Sequence, residues 1–165
     1  MSMPTTCAEF AATHPDIDTL DWFRVTGSPR FDYLIDYEVA VLGVDERAGR
    51  IEFLSRWAPH AYCHYHRHLG ETSLLVIDGE HHVAETRAHE TVHKTRSPGF
   101  FATNPGGDVH MEWGGADGAL VYFNCRAVEG KLFEVLDRDG TILTTATVEQ
   151  FLTGGIKGQS RAVRG

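Results

Sequence analysis

From Phe31 onward, apolar and polar residues alternate in short runs, each bounded by Gly, Pro, Asp or Asn. A period of two marks a strand with one buried face. The pattern predicts strands over 37–44, 50–57, 62–68, 73–77, 81–86, 91–95, 100–103, 109–113, 119–125 and 131–136. Asp78-Gly79 and Asp139-Gly140 read as hairpin turns, because glycine accepts the positive φ such turns require. Residues 45–49 read as a longer turn. Only 147–152 reads as a helix, with Thr147 as its N-cap. Many short strands at regular spacing, with no long helices between them, predict an all-β sandwich or barrel. Pro4, Pro15, Gly27 and Pro29 interrupt the start of the chain. The organisation read from this is a lead-in over 1–30, a single β domain over 31–153 and a flexible tail over 154–165.

The length of 165 residues fits one domain, and 42% hydrophobic content can fill its core. Acidic residues number 23 against 15 basic ones, a net charge of −8. That balance argues against nucleic acid or an anionic membrane as the partner. No apolar run approaches the ~20 residues of a membrane span. Met1 to Phe10 carries Glu9 and no basic stretch ahead of an apolar core, so no secretory signal is expected. Cys7, Cys63 and Cys125 are odd in number and far apart, which points away from a disulfide framework and toward a reducing cytoplasm. Cys63 and Cys125 are expected as buried small hydrophobes, and Phe53, Trp57, Phe101 and Phe123 as core.

Histidine, at 10 residues, is the oddest feature of the composition. His64, His66 and His68 fall at alternate positions, so on one strand they would share a face. Imidazoles at i and i+2 can converge on one metal ion, given a third ligand from elsewhere. His81, His82, His89 and His93 read as a solvated edge. The distant partner is His110, in the segment Gly99-x5-Pro105-x-Gly107-x2-His110. Glu112 lies two residues further on and also faces inward, where a carboxylate needs a partner.

These two segments resemble the paired motifs of the cupin superfamily. The second segment matches at its Gly, Pro, Gly and His positions. The first, His60 to Glu71, fits in two registers. With His66 and His68 as the pair, Thr72 stands at the usual glutamate position and Gly79 at the closing glycine. With His64 and His66 as the pair, Glu71 fits the glutamate and Gly79 comes one residue late. The first register is favoured, because a turn at Asp78-Gly79 would fix strand pairing and a slip of one residue would reverse every side chain. His66-Arg67-His68-Leu69-Gly70 is similar to the corresponding segment of the acetylacetone-cleaving and 2,4'-dihydroxyacetophenone dioxygenase group.

The resemblance implies a cupin-type double-stranded β-helix, or jelly-roll barrel, with a short lead-in and one short C-terminal helix. It implies one divalent metal per chain held by His66, His68 and His110, with Fe(II) favoured and zinc as the alternative. Three neutral imidazoles would leave the ion its full charge, suited to an anionic diketone enolate. The activity implied is O2-dependent cleavage of a carbon–carbon bond in a small β-dicarbonyl or hydroxy-aryl ketone. Tyr62, His64 and Glu71 are the candidate catalytic residues: Tyr62 and His64 as inward groups near the ligands, Glu71 as a group orienting Arg67 or as a fourth ligand in the other register. The alternatives are a zinc-dependent cupin isomerase or hydrolase and a non-enzymatic ligand- or metal-sensing cupin. A small-molecule substrate and O2 are the expected partners. An open barrel exposes edges that invite pairing, so a homodimer is expected.

Overall fold

The computed structural model describes residues 16–153 and the backbone of residues 159–161. The readings of the first ten residues and of Cys7 lie outside the described residues, as does most of the C-terminal tail. After a 3-10 turn at Ile17–Thr19 the described residues are mostly strand. The strands are β1 (Trp22–Thr26), β2 (Asp36–Asp45), β3 (Arg50–Trp57), β4 (His66–His68), β5 (Thr72–Arg87), β6 (Glu90–Arg96), β7 (Phe101–Asn104), β8 (Val109–Arg126), β9 (Lys131–Leu136), β10 (Ile142–Thr147) and β11 (Gln159–Arg161). One helix, α1 (Val148–Thr153), follows β10. No helix among the described residues is long and apolar enough to cross a membrane.

All strands join one curled antiparallel sheet in the order β10-β9-β4-β8-β3-β2-β1-β11, with β5 on the other side of β8 and carrying β6 and β7. The 18-residue β8 is the spine. Its second half pairs with β3, from Arg50↔Arg126 to Trp57↔Ala119. Its first half pairs with β4 through His66↔His110. The 16-residue β5 runs along nearly the whole of its other edge.

Residues 73–77 and 81–86 are therefore two halves of one strand rather than a hairpin, and so are 109–113 and 119–125. Where a hairpin turn was expected at Asp78-Gly79, both strands bend together. The register shifts between Gly79↔Ala119 and His81↔Gly114. Gly79 (φ 72°) and Gly118 (φ 76°) supply the left-handed backbone at that bend. The positive φ of Gly79 was anticipated; its use in a bulge instead of a turn follows from long-range pairing, which local residue preferences do not encode.

Strands β3 and β9 fall where the alternation places them. The expected strand over 62–68 shrinks to β4. His60 takes φ 57°, and Tyr62 makes only isolated bridges to Ile35 and Trp113. Strand β1 lies within the segment read as a lead-in and pairs with β2 and β11. The Asp139-Gly140 turn does close a hairpin, between β9 and β10. Thr147 caps α1: its Oγ1 accepts from Gln150 N at 3.3 Å, and Gln150 Oε1 accepts from Thr147 N at 3.0 Å.

The core lies inside the curl, around Ile51, Val76, Val121 and Leu132. Cys63 and Cys125 are buried free thiols, as expected. Phe53, Trp57 and Phe123 are buried, but Phe101 is 62% exposed and is not core. It sits on the short edge strand β7, where alternation over four residues cannot tell an inner face from an outer one. Phe151 of α1 packs against Phe53 and Phe133 and closes one end. Burying one such ring contributes about 1.5–3 kcal/mol. That contact docks a helix too short to hold its shape alone.

A Cβ at Gly79 would stand 2.3 Å from Gly118 O. Gly79→Ala should cost about 2–4 kcal/mol from left-handed strain plus the clash. Urea unfolding measures it, and an unchanged midpoint would show that the bend relaxes freely.

Candidate metal centre

Strand β4 gives alternate burial: His66 and His68 are 9% and 7% exposed, and Arg67 between them turns outward to an ion pair with Glu134. Cross-strand pairing of His66 with His110 brings their rings to 4.2 Å. His68 lies 5.0 Å from His66 and 5.2 Å from His110, ring centre to ring centre. The segment ahead of His110 is shaped by its glycines. Gly99 and Gly107 take φ of 89° and 98°, and Gly107 N donates to His68 O at 2.8 Å, tying the loop to the end of β4.

Glu112 completes the group. One donor atom from each of His66, His68, His110 and Glu112 lies within 4.8 Å of the others, so the four could hold a metal ion. Glu112 is 4% exposed. Its Oε2 stands 3.2 Å from His66 Nε2 and 3.8 Å from His110 Nε2. Its Oε1 stands 3.0 Å from Nε2 of His81, which is fully buried. His81 therefore does not belong to a solvated edge. The β5 bend turns its side chain inward, where it packs against Trp57.

The donor set fits a divalent cation. His66 Nδ1 donates to His64 O at 2.8 Å and His110 Nδ1 to Asp108 O at 3.1 Å, while His68 Nδ1 meets Cys125 Sγ at 3.6 Å. Each ring is thus held by one nitrogen and presents Nε2 to the centre, the arrangement that orients metal-bound imidazoles. Burial pushes His68 well below the ordinary histidine value, with His66 and His110 adding to the effect. Burial, then His66, takes His110 down to about 4. Burial opposes the charge on His66 too, but contact with Cys63 and Glu112 holds it well above the ordinary value. Burial likewise pushes the Glu112 carboxyl up, and hydrogen bonds from His66 and His81 outweigh it and hold it well below the usual carboxylate range. Both directions leave the proton of the His66–Glu112 contact on His66, and a cation entering the group would displace it.

The favoured histidine register is the one the fold uses. Thr72 is buried on β5 opposite Cys125, and Glu71 points outward, 48% exposed and 3.8 Å from Arg50 Nη2. Glu112 lies within the group too, so a carboxylate stands beside the three histidines as a candidate fourth ligand. Its inward direction follows from strand alternation. Its meeting with His66 and His81 needs β4, β5 and β8 side by side. His64 lies beside the group, in edge contact with Phe31 and Tyr37, and burial takes it down to about 4. Tyr62 packs on Trp113 and Tyr33, away from the four donors.

The group opens onto a cavity of about 190 Å³ lined by Tyr37, Phe53, Trp57, Phe133 and Phe151, together with His64, His66, His68 and Glu112. Its lining contains no Lys or Arg among the described residues.

A family model described as the ChrR cupin-like domain matches residues 14–129. Among solved structures, a cupin-like protein from Thermotoga maritima MSB8 is 20% identical, with a TM-score of 0.57 over 77% of this chain and 98% of that one. An acetylacetone dioxygenase from Acinetobacter johnsonii is 11% identical, with a TM-score of 0.62 over 82% of this chain and 86% of that one. An RmlC-like cupin protein from Ralstonia eutropha JMP134 is 14% identical, with a TM-score of 0.62 over 88% and 87%. At these identities the likeness is one of fold. No curated protein matches the sequence significantly.

Glu112→Gln and His110→Ala should each lower bound metal after dialysis by at least about tenfold, and His81→Asn, which frees the carboxylate, by about 10–100-fold in affinity. Glu71→Gln should leave it unchanged. Elemental analysis of the dialysed proteins reads all four. Full metal retention in Glu112→Gln would remove the carboxylate from the ligand set.

Proposed function

The chain belongs to the ChrR cupin-like domain family, and we propose that it is a metal-dependent oxidoreductase using O2 to cleave a carbon–carbon bond of a small β-dicarbonyl or hydroxy-aryl ketone. The observation that best supports this reading is that three of the four candidate ligands are also walls of an aromatic-lined cavity. One divalent metal per chain, Fe(II) favoured and zinc the alternative, would be held by His66, His68 and His110 with Glu112, and would supply a Lewis acid and, as Fe(II), a redox partner for O2.

The cavity's own chemistry narrows the substrate. At about 190 Å³ it takes only a small molecule, and its lack of cationic side chains disfavours phosphates and polyanions. An enolate, whose single charge is delivered to the cation, fits that lining. Tyr37, Trp57 and Phe133 give the cavity largely apolar walls, against which polar contacts inside are strengthened. His64 stays neutral at pH 7, since it titrates at about 4, and can offer a hydrogen bond to a substrate oxygen. Of the three residues read as catalytic, His64 alone lines the cavity. Tyr62 would act only through the rings it packs against, and Glu71 only through Arg50. For a simple β-diketone both atoms of O2 enter the products, a carboxylic acid and a 2-oxoaldehyde, so no outside reductant is needed.

The family match and the Glu112 carboxylate favour one second reading, a non-enzymatic metal- or ligand-sensing cupin. Protein prepared anaerobically, analysed for metal and then given a diketone panel separates the two. The enzyme reading expects iron and one O2 consumed per diketone. Zinc, indifference to O2 and tight retention of a ligand without turnover would favour sensing.

We also propose a cytoplasmic homodimer. Leu75 pairs with Phe101 across β5 and β7, and both are exposed, as are Ile77 and Phe100. These residues border an edge strand with no further partner among the described residues. Light scattering at micromolar concentration should give twice the chain mass, and a monomer would reject the dimer.

A further inference from the structure

Arg96 ends β6 and is 5% exposed. Its Nε finds no hydrogen-bond partner among the described residues. Its Nη2 stands 3.8 Å from Glu85 Oε1, beyond hydrogen-bond reach. Glu85 is already engaged, since its Oε2 accepts from Lys94 Nζ at 2.9 Å and from Arg87 Nη2 at 3.1 Å. One carboxylate thus faces three cations. The Phe100 ring, 5.0 Å from the guanidinium carbon, covers a face of Arg96 and leaves its donor edge uncompensated. A buried guanidinium in this condition is costly unless something pairs with it.

Arg96 lines a second cavity, of about 40 Å³, whose walls include Thr72, Glu85, His110 and Asp108. It meets the larger cavity at His68, Glu112 and Phe123. Glu112 and Glu85 both favour the charge on Arg96, but neither comes within hydrogen-bond reach of its guanidinium, and Arg96 Nε stays without an acceptor.

We infer that Arg96 and this chamber form a binding subsite for a small monocarboxylate, beside the metal group and separate from the aromatic cavity. The planar guanidinium edge pairs with a carboxylate through two parallel hydrogen bonds, geometry that a spherical anion does not match. A single water needs about 10–15 Å³, so the chamber admits a molecule the size of formate or acetate and no larger acid. A short carboxylate is also the class of product released by the proposed cleavage. The subsite itself depends only on Arg96 and the chamber, and it stands even if that reaction fails.

The test is a titration of nitrogen-15-labelled protein with sodium formate at constant ionic strength, reading the Arg96 Nε–Hε cross-peak. It is run on the chain as purified and again after chelation. The expected result in both is a saturable shift with a dissociation constant on the order of 1–10 mM, and a saturable rise in Tm. Arg96→Lys, which keeps the charge and loses the fork, should weaken binding by at least about tenfold. Arg96→Met should abolish the rise in Tm. A cross-peak that stays fixed to about 100 mM formate overturns the proposal. So does a shift that never saturates, a rise in Tm retained in Arg96→Met, or binding that vanishes on chelation, which would move the ligand to the metal. If Arg96→Met does not fold, the cross-peak and Arg96→Lys still decide.

Discussion

Glu112 carries a negative charge into the buried interior of the curled sheet, and its neighbours are arranged around that charge. An isolated buried carboxylate would take up a proton instead. Here His66 holds one oxygen and His81 the other. Removing either partner would leave a buried charge uncompensated, an effect of about 3–5 kcal/mol. The same contact readies the group for a cation. The oxygen that faces His66 also faces His110, while His81 fixes the carboxylate from behind. His68 and His110 are kept neutral by burial, so their lone pairs are available at neutral pH.

This arrangement depends on β8 having two different partners along one edge. Its first half meets β4 and its second half meets β3, with β5 running along the opposite edge through both. The bend at Gly79 and Gly118 lets a single pair of strands serve both halves of the curl. It also turns His81 inward toward Glu112. Two chambers then open beside the four donors, each lined by three of them. One is aromatic and carries no cation; the other is small and carries Arg96.

Much of this was legible along the chain. Alternation located β3 and β9, the Asp139-Gly140 turn and the Thr147 cap, because each depends on residues close in sequence. His66, His68 and His110 were identifiable because period-two spacing puts the first two on one face and the glycine–proline loop positions the third. The reversal at Asp78-Gly79 was misplaced. A glycine with positive φ serves a hairpin and a bulge equally well, and only the partner strand decides between them. Phe101 and His81 were assigned to the wrong surroundings for a related reason: facing one side of a strand says nothing about what covers that side.

By itself, then, the sequence determined most of the strand content, the Asp139-Gly140 turn and the common face of His66 and His68, all set by local backbone preference and side-chain period, while His110 was marked by the resemblance of its segment to a cupin motif. Tertiary structure decided that Glu112 supplies the carboxylate that Thr72 does not, that His81 anchors it, and that Arg96 is left buried without a full partner. These contacts join β4, β5, β6 and β8 across long stretches of chain. Electrostatic partnership at such range is a property of distance in space, and no periodicity along a single strand contains it.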